Sequence, residues 1–325
     1  MTSRGAPAPG KGTSGHGDTG HRGRAASERE VLAAAVRTGA ERLLEAGGVC
    51  AAFRSLSWSG GCLSYLDAGS GPTVLLLHGG SGGGANWFSI LASLAGEHRV
   101  LAPDLPGFGL SDPAPVVRPL SRAAVPALEA VLVAAGAGQV DLCGTSYGGL
   151  LAVRLTQGSP GRVRRLALLD SAGLGREAPP TMRLLTVPGL GRLLLSRPSP
   201  RSVRWELRTR MTVLRLPPAT EDALVAYLTA SAQAGSRAWF AHALRAFAGA
   251  RGQREVIADA ELADLHVPTL IAWGERDAFF PASHARRAAA LVPRAVLRVV
   301  AGAGHSPNWE RPGEVAALLS AFFSP

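Results

Sequence analysis

Short apolar runs recur along this chain of 325 residues, without a regular alternation of apolar and polar positions. The runs lie at 74–77, 100–102, 140–142, 166–169, 270–273 and 296–300. Strands buried on both faces have this pattern, and such strands occur in parallel sheets that are covered by helices. Helix-like stretches separate most of the runs, at 87–96, 121–136, 147–158, 283–291 and 313–323. The order predicts a mostly parallel, doubly wound α/β sheet.

The alternation of strand-like runs and helix-like stretches is interrupted between residues 175 and 262. This segment is rich in arginine, leucine and proline, and it contains 13 arginines against seven acidic residues. It has no strand-like run, and its helical stretches lie near 202–215, 219–234 and 236–249. The pattern predicts a helical insertion at 175–262 between two strands of a core formed by 48–174 and 263–325.

The first 47 residues divide into two parts. Residues 1–28 are mostly glycine, serine, proline and charged residues, and they are predicted to form a disordered tail because they bury too little apolar surface. They also lack the apolar region of a signal peptide. Residues 29–47 carry apolar residues at helical spacing, which predicts a helix on the main domain. Two β-like runs within 50–68 then predict a hairpin.

The chain is basic, with a formal net charge of +10, but its pattern does not indicate a nucleic-acid-binding surface. The arginines are spread out, Lys11 is the single lysine, and no basic helix is interleaved with aromatic residues. No apolar stretch reaches the ~18 residues of a membrane span. Cys50, Cys62 and Cys143 are too few and too scattered for a disulfide framework or a zinc site, which favours a cytoplasmic location. We expect a small-molecule substrate, no metal and no nucleic-acid partner.

Residues 144–148 (GTSYG) match the pattern G-x-S-x-G. An apolar run at 140–143 precedes the motif, and a helix-like stretch at 149–153 follows it. A strand that turns sharply into a helix exposes the middle residue of such a motif above the sheet. Ser146 is therefore the candidate nucleophile. The alternative is a glycine-rich turn that contains an incidental serine.

A serine hydroxyl is a weak nucleophile without a base, and two of the eight histidines stand beside predicted strands. His305 lies in a flexible, glycine-rich loop directly after the last strand, from which an imidazole can reach the edge of the sheet. His78 ends the first parallel strand, where we expect it to brace its loop by hydrogen bonds to the backbone. His305 is therefore the candidate base.

The base in turn needs a carboxylate that fixes its tautomer. Asp277 follows the penultimate strand in a Gly-Glu-Arg-Asp turn, which projects its last carboxylate from a loop. Asp170 directly follows the run at 166–169 and faces the same edge of the sheet, so it is the rival acid. Asp277 is favoured. Glu275 and Glu310 are weaker rivals, and we expect them to cap turns or to pair with arginine.

An acyl-transfer intermediate needs two backbone N–H donors for its oxyanion. The N–H of Tyr147 is one candidate, because it lies at the positive end of the helix that follows Ser146. The loop at 78–84 supplies the other candidate, for which Gly80 is favoured over Ser81.

The same loop also fits a different chemistry. Residues 80–85 match G-x-G-x-x-A, and Asp104 lies about 20 residues further on, where a dinucleotide-binding fingerprint places its ribose-binding acid. Against this, a pyrophosphate turn does not need His78 or the additional glycines, and a hairpin precedes the strand. Residues 104–111 also form a Pro-Gly-rich turn that is suited to bracing a loop. Dinucleotide binding is therefore the weaker alternative.

Taken in order, these motifs resemble the α/β-hydrolase fold superfamily. The resemblance covers 48–325, and the motifs that carry it are 78–79 (HG), 104–111 (DLPGFGLS), 144–149 (GTSYGG), 274–277 (GERD) and 304–305 (GH). It implies that 175–262 forms the helical cap of the family. The roles that it implies are nucleophile for Ser146, acid for Asp277, base for His305, and oxyanion donors for Gly80 and Tyr147.

Several branches of the superfamily differ from this chain at the site. Haloalkane dehalogenases and epoxide hydrolases carry aspartate at the nucleophile position, so Ser146 argues against both. The glycine-rich loop is similar to that of carbon–carbon bond hydrolases and proline iminopeptidases. Those enzymes typically carry Met or Trp after the serine, and the iminopeptidase loop reads His-Gly-Gly-Pro-Gly, whereas this chain has Tyr147 and Ser81.

The predicted function is that of a serine hydrolase that cleaves a carboxylic ester through an acyl-enzyme, without a cofactor. A carbon–carbon bond hydrolase of the same fold is the alternative enzyme. A hydrolase-fold protein that only binds a ligand is the alternative outside enzymes. Six aromatic residues near the active edge are expected either to line an apolar pocket or to belong to the core: Trp87, Phe88, Phe108, Phe279, Phe280 and Trp309. Four of them are the candidate substrate-binding residues: Trp87, Phe108, Phe279 and Trp309.

Overall fold

Ten β-strands are found in a computed structural model, which describes residues 18–115, 117–187, 189–195 and 198–324. In chain order they are β1 (Ala52–Trp58), β2 (Gly61–Ala68), β3 (Thr73–Leu77), β4 (Arg99–Pro103), β5 (Val140–Thr145), β6 (Val163–Leu169), β7 (Ala248–Gly249), β8 (Gly252–Gln253), β9 (Thr269–Gly274) and β10 (Ala295–Val300). Eight of them form one sheet in the order β1-β2-β4-β3-β5-β6-β9-β10, while β7 pairs with β8.

The main sheet is parallel except at one edge. There β2 runs antiparallel to both β1 and β4, and the β1–β2 hairpin pairs Ala52 with Asp67 and Trp58 with Gly61. All other neighbours are parallel. The strand order reverses after β4, because β3 and then β5 lie on its far side. The predicted hairpin and the predicted mostly parallel, doubly wound α/β sheet are therefore confirmed.

The central strands are buried on both faces, which explains why their sequences do not alternate. In β3, Leu75 packs into one hydrophobic core and Val74 into the other, and in β5 the same holds for Leu142 and Cys143. All four side chains are 0% exposed. Each buried apolar side chain of this size contributes about 1.5–3 kcal/mol, so both faces of the sheet must be covered by helices.

Helices pack on both faces of the sheet. In chain order they are α1 (Asp18–Ala46), α2 (Phe88–Ala95), α3 (Leu120–Ala123), α4 (Val125–Ala134), α5 (Tyr147–Gly158), α6 (Pro180–Leu185), α7 (Leu190–Leu195), α8 (Pro200–Glu206), α9 (Pro218–Gln233), α10 (Ser236–Phe247), α11 (Asp259–Ala263), α12 (Ser283–Leu291), α13 (Pro307–Glu310) and α14 (Pro312–Phe323). Side chains of α4, α5 and α12 enter one core, and those of α1, α2 and α14 enter the other. Across the described residues, no helix combines the length and apolar content needed to cross a membrane.

Among the described residues, six helices, α6 to α11, lie between β6 and the return of the chain to the sheet at β9. We call residues 175–262 the inserted segment. Within it, α8 continues into one π-helical turn, Leu207–Met211. The short hairpin of β7 and β8 pairs Ala248 with Gln253. This hairpin could not be predicted from the sequence, because strands of two residues produce no apolar run.

The N-terminal helix α1 begins at Asp18, earlier than predicted. The prediction of a disordered tail over 1–28 is therefore wrong for residues 18–28, and residues 1–17 lie outside the described residues. The helix lies mainly against α9 of the inserted segment, where a Cβ atom on Gly39 would approach the Cα atom of Tyr227 to 3.1 Å. It also touches α2 of the core.

We expect Leu43→Ala in α1 to lower the free energy of unfolding by about 2–5 kcal/mol, because the side chain is fully buried and its removal leaves a cavity. Val31→Ala in the same helix is the control, since Val31 is exposed, and its effect is expected to stay within about 0.5 kcal/mol. Urea unfolding of the full chain measures both values. Equal effects at the two positions would contradict the packing of α1.

Candidate active site

Ser146 lies in a sharp turn between the end of β5 and the start of α5. Its backbone φ of 51° falls in the left-handed region, which side chains other than glycine rarely adopt. A Cβ atom on Gly144 would lie 2.3 Å from the carbonyl oxygen of Gly148, and one on Gly148 would lie 2.2 Å from that of Leu77. The close approach of β3, β5 and α5 therefore requires both glycines, and the turn presents the serine hydroxyl at the edge of the sheet.

Three side chains from separate parts of the sequence meet at this edge. The Nε2 atom of His305 lies 3.0 Å from Oγ of Ser146, and its Nδ1 atom lies 2.9 Å from Oδ2 of Asp277. The Oδ1 atom of Asp277 accepts the backbone N–H groups of Phe279 and Phe280 at 2.7 and 3.1 Å. Because the carboxylate binds Nδ1, Nε2 is left to accept the serine proton, so the arrangement can perform nucleophilic acyl transfer.

Asp170, the rival acid, is buried beside the same imidazole but bonds to the backbone. Its Oδ1 atom accepts the N–H of Gly274 at 2.9 Å. Polar atoms of Asp170, Asp277 and His305 lie within 4.8 Å of one another. Burial, together with the neighbouring Asp277 carboxylate, raises the pKa of Asp170 well above its usual range. The structure thus brings both aspartates to the site, and the imidazole donates its Nδ1 hydrogen to Asp277.

Glu275 and Glu310 hold the loop after β10. Glu275 accepts the N–H of Gly302 at 2.9 Å. One carboxylate oxygen of Glu310 accepts the N–H of Gly304 at 2.7 Å, and the other accepts those of residues 213–214 at 2.6 and 2.7 Å. Both acids therefore cap backbone groups, as expected from the sequence, and Glu310 also ties the inserted segment to this loop.

The two predicted oxyanion donors, Gly80 and Tyr147, lie on either side of Ser146. Tyr147 opens α5, where the first N–H groups of a helix have no acceptor within it. The loop with Gly80 runs against the serine, since a Cβ atom on Gly79 would lie 3.1 Å from the Cβ atom of Ser146. Both residues border the cavity in front of the serine hydroxyl. Their role as donors stays a prediction.

His78 braces the glycine-rich loop through both ring nitrogens. Its Nδ1 atom donates to the carbonyl oxygen of Gly79 at 2.7 Å, and its Nε2 atom accepts the N–H of Leu105 at 2.9 Å. Burial lowers the pKa of His78 to about 4, so the imidazole is neutral at pH 7. These contacts to the backbone are the ones expected from the sequence.

Asp104 braces the same loop from the other side. Its two carboxylate oxygens accept the N–H groups of Gly84 at 2.7 Å and Leu110 at 2.8 Å. Burial raises the pKa of Asp104 to about 6. Because both oxygens bind backbone groups inside the protein, this carboxylate is not presented to a ribose. The structure therefore favours the bracing role over the dinucleotide-binding alternative.

Three cavities lie under the inserted segment, and Gly80 and Phe240 border all of them. The Tyr147 cavity, of about 30 Å³, reaches Ser146, and its walls include Leu120, Met182, Leu244, Phe247 and Phe280. The Trp309 cavity, of about 100 Å³, also reaches Ser146, and its walls include Trp87, Glu206, Met211, Phe279 and His305. The Leu228 cavity, of about 80 Å³, is bordered by Leu185, Val203, Glu206 and Leu207. Both cavities at the serine are thus mainly apolar.

Four of the six predicted aromatic residues lie on cavity walls. They are Trp87, Phe279, Phe280 and Trp309. Phe108 packs inside the core instead, with ring centres 5.3 Å from His78 and 5.1 Å from Trp239. Phe88 is likewise buried in the core. The prediction that Phe108 binds substrate is therefore corrected, because its ring packs against the rings of His78 and Trp239 inside the core.

Residues of the inserted segment that shape the cavities were not predicted from the sequence. Phe240 is the clearest case, because a Cβ atom on Gly80 would lie 2.6 Å from its ring. Met182 and Met211 line the cavities beside it. Helical spacing at 236–249 predicts a helix, but no motif in that stretch indicates which side chain meets the glycine-rich loop.

The comparison with known families agrees with this geometry. Residues 72–312, more than half of the chain, match a family model described as "alpha/beta hydrolase fold". The chain belongs to the alpha/beta hydrolase fold family. The match runs from β3 to the start of α14, so this alpha/beta hydrolase shares with its family the region that holds Ser146, Asp277 and His305.

Some relatives of this alpha/beta hydrolase carry hydrolase names. The 2-hydroxymuconate semialdehyde hydrolase of Pseudomonas sp. strain CF600 is 32% identical over 266 residues, which cover 79% of this chain and 89% of the relative. The 2-hydroxy-6-oxo-2,4-heptadienoate hydrolase of Pseudomonas putida is 30% identical, with coverage of 79% and 91%. The crystal structure of a carboxylesterase from Bacillus subtilis shares the fold, with a TM-score of 0.72, 23% identity and coverage of 90% and 98%. The family and these relatives support a hydrolase.

We expect the buried His78 to make the fold less stable in acid. The folded pKa is about 4, against an ordinary value of 6.5, so the unfolded state binds more protons between these values. The free energy of unfolding therefore falls as the pH drops from 6.5 to 4, by up to about 3 kcal/mol. His78→Gln removes this dependence, and urea unfolding of variant and wild type across that range measures it.

The free energy of unfolding of His78→Gln is compared with that of wild type at each pH, because the pH dependence that comes from Asp104 is present in both proteins. As the pH falls, the free energy of unfolding of His78→Gln is expected to rise relative to that of wild type. His266→Gln is the control, because it removes an exposed imidazole. A difference for His78→Gln that does not change with pH would contradict the argument.

Proposed function

We propose that this chain is a serine hydrolase that cleaves a neutral carboxylic ester through an acyl-enzyme intermediate. The observation that carries the proposal is the hydrogen-bonded line from Ser146 through His305 to Asp277. Ser146, at one end of this series of hydrogen bonds, borders two mainly apolar cavities under the inserted segment. This segment serves as a cap over the site.

In the first half-reaction, Oγ of Ser146 attacks the ester carbonyl carbon while its proton passes to Nε2 of His305. The carboxylate of Asp277 holds the imidazole in the required tautomer and stabilises the imidazolium that forms. The backbone N–H groups of Gly80 and Tyr147 bind the oxyanion. The imidazolium then gives its proton to the alkoxide as the C–O bond breaks, and the alcohol leaves behind an acyl-serine.

In the second half-reaction, water replaces the alcohol. His305 takes one proton from the water molecule, whose oxygen attacks the acyl carbon and forms a second oxyanion. When this intermediate collapses, the bond to Ser146 breaks and the serine oxygen recovers a proton from the imidazolium. The acid product leaves, and the site returns to its starting state without a cofactor.

The charge of the cavity walls favours a neutral substrate. Among the described residues, the walls of the three cavities contain no lysine or arginine, whereas Glu206 borders two of them. A substrate carboxylate placed there would be desolvated with no lysine or arginine to pair with among the described wall residues, which is costly. A neutral ester with apolar groups meets no such cost.

A carbon–carbon bond hydrolase is the second candidate. It is supported by the relative named for a heptadienoate, which is 30% identical over most of both chains. A dienoate carries a carboxylate, so the absence of a cation from the described cavity walls is the observation that places this candidate second. A protein that only binds a ligand is a weaker candidate still, because binding does not require the hydrogen-bonded line of serine, histidine and aspartate.

We expect Ser146→Ala to lower kcat for the best ester by about 10⁶-fold while the fold stays intact. Asp277→Asn is expected to lower kcat by about 10⁴-fold, because an amide favours the wrong imidazole tautomer. Steady-state kinetics and circular dichroism of the full-length variants measure both effects. Labelling by a serine-reactive phosphonate probe, lost in Ser146→Ala, separates a catalyst from a binding protein.

Asp170→Asn is the matched control for the acid, since an amide has the size of a protonated carboxyl group and Asp170 lies beside Asp277. Its effect on kcat is expected to be far smaller than that of Asp277→Asn. The opposite ranking would assign the acid to the end of β6. Turnover by Ser146→Ala within tenfold of wild type would contradict the proposed nucleophile.

A substrate panel tests the charge argument. We expect kcat/KM for a neutral ester to exceed that for an ester of equal length that carries a carboxylate, by about tenfold or more. A 2-hydroxy-6-oxo-dienoate is the third member of the panel. Faster cleavage of the dienoate than of the neutral ester would replace the proposed activity with carbon–carbon bond hydrolysis, with the same serine still required.

A further inference from the structure

The inserted segment exposes several large apolar side chains to solvent. Eleven large hydrophobic side chains are exposed in the part of the chain whose burial is described, and five of them fall between residues 184 and 205. We call these five the outer patch: Leu184, Val187, Leu193, Leu194 and Trp205. Each is between 45% and 71% exposed. Exposed apolar residues that are concentrated in this way mark an interaction surface more often than single ones do.

The helix α8 shows that this exposure follows from helical periodicity. Val203 and Leu207, four residues apart, are buried and border the Leu228 cavity. Arg201 and Trp205, also four apart, are exposed on another side. The sequence thus places an indole and a guanidinium together on the outside of a short helix whose inner side is already filled.

The stretch of sequence that holds the outer patch is rich in arginine, and Glu221 and Asp222 of α9 offset part of its positive charge. Between residues 180 and 215 the sequence contains eight arginines and a single acid, Glu206. The guanidinium of Arg210 lies 5.0 Å from the ring centre of Trp205, which is a cation–π distance. Two neighbouring arginines, Arg204 and Arg208, are bound to Glu221 of α9. The patch therefore combines apolar side chains with a surplus of positive charge.

The stretch at 180–215 also lines the cavities of the active site. Met182 lines the Tyr147 cavity, and Met211 and Glu206 line the Trp309 cavity. Inner residues of α6 and α8 thus face the cavities that lead to Ser146, while outer residues of the same helices face solvent. Parts of the outer patch and of the walls of the cavities at Ser146 therefore belong to the same helices.

A partner for this surface needs both an apolar phase and negative charge. A nucleic acid would satisfy the arginines but leave the leucines and the tryptophan in water. A second copy of the chain, paired through the same face, would set arginine against arginine. An anionic phospholipid surface supplies acyl chains beneath phosphate groups, and it is bound by surfaces that combine tryptophan, leucine and arginine.

We propose that the outer patch docks onto an anionic phospholipid surface and turns the entrance of the active site toward the lipid. Leu184, Leu194 and Trp205 enter the interface between headgroups and acyl chains, and the arginines around them contact phosphates. Docking does not rest on the proposed ester hydrolysis, because it uses none of the residues that bind or attack the substrate.

The test uses the full chain with Ser146→Ala, so that no lipid is hydrolysed during the measurement. Co-sedimentation compares vesicles of phosphatidylcholine with vesicles that also contain phosphatidylglycerol. We expect binding to the anionic vesicles, which weakens as the Debye length shortens from about 10 Å at 0.1 M salt to about 3 Å at 1 M. Tryptophan emission is expected to shift to the blue on binding, and the additional change Trp205→Phe is expected to abolish the shift.

Matched variants separate the outer patch from general surface properties. Leu184→Ser with Leu194→Ser is expected to weaken vesicle binding by about tenfold or more, whereas Val133→Ser, at an exposed position of α4, leaves it unchanged. Arg201→Glu with Arg210→Glu is expected to abolish the preference for anionic vesicles, and Arg298→Glu on β10 is the charge control. The proposal is wrong if the patch variants bind like their controls, or if light scattering shows a dimer that Leu184→Ser with Leu194→Ser dissolves. Binding of RNA in place of vesicles would also overturn it.

Discussion

The approach of α5 to the end of β3 is the constraint on which the active edge depends. A Cβ atom on Gly148 would lie 2.2 Å from the carbonyl oxygen of Leu77, so the helix can start here only without a side chain. That contact fixes the position of Ser146 relative to the loop after β3. The left-handed backbone of the serine follows from the same turn, since the chain must reverse within one residue. The nucleophile and the glycine-rich loop are thus placed by one backbone contact.

Most of the fold and three residues of the site could be predicted because both depend on short-range rules. Strands buried on both faces lose their alternation, and polar residues directly after such strands must gather at one edge. Ser146, Asp277 and His305 each stand at a strand end, so topology alone brings them together. The start of α1 could not be predicted, because residues 18–28 have few apolar side chains and composition alone does not indicate a helix there. Phe240 and Phe108 depend on long-range packing, which local patterns do not contain.

Buried carboxylates hold the loops around this edge. Asp104 binds the backbone of the glycine-rich loop, Glu310 binds the loop before His305, and Glu255 accepts the N–H groups of residues 120–121 at 2.5 and 2.9 Å. A carboxylate can accept several N–H groups at once, and such charge-assisted bonds are stronger than neutral ones. Because Glu310 also binds residues 213–214, its carboxylate connects the inserted segment to the loop that carries the imidazole.

The choice between the two acids follows from how many hydrogen-bond donors each one receives. Two carboxylates close together in a buried space cannot both be ionised without strong repulsion, so the charge rests on the better-solvated one. Asp277 receives the N–H groups of Phe279 and Phe280 and the Nδ1 hydrogen of His305, whereas the bond of Asp170 to the backbone comes from Gly274. The turn after β9 therefore supplies Asp277 with backbone donors, whereas burial, together with the neighbouring Asp277 carboxylate, raises the pKa of Asp170. The sequence places both acids at strand ends and so leaves a choice, which the backbone N–H groups of one tight turn decide.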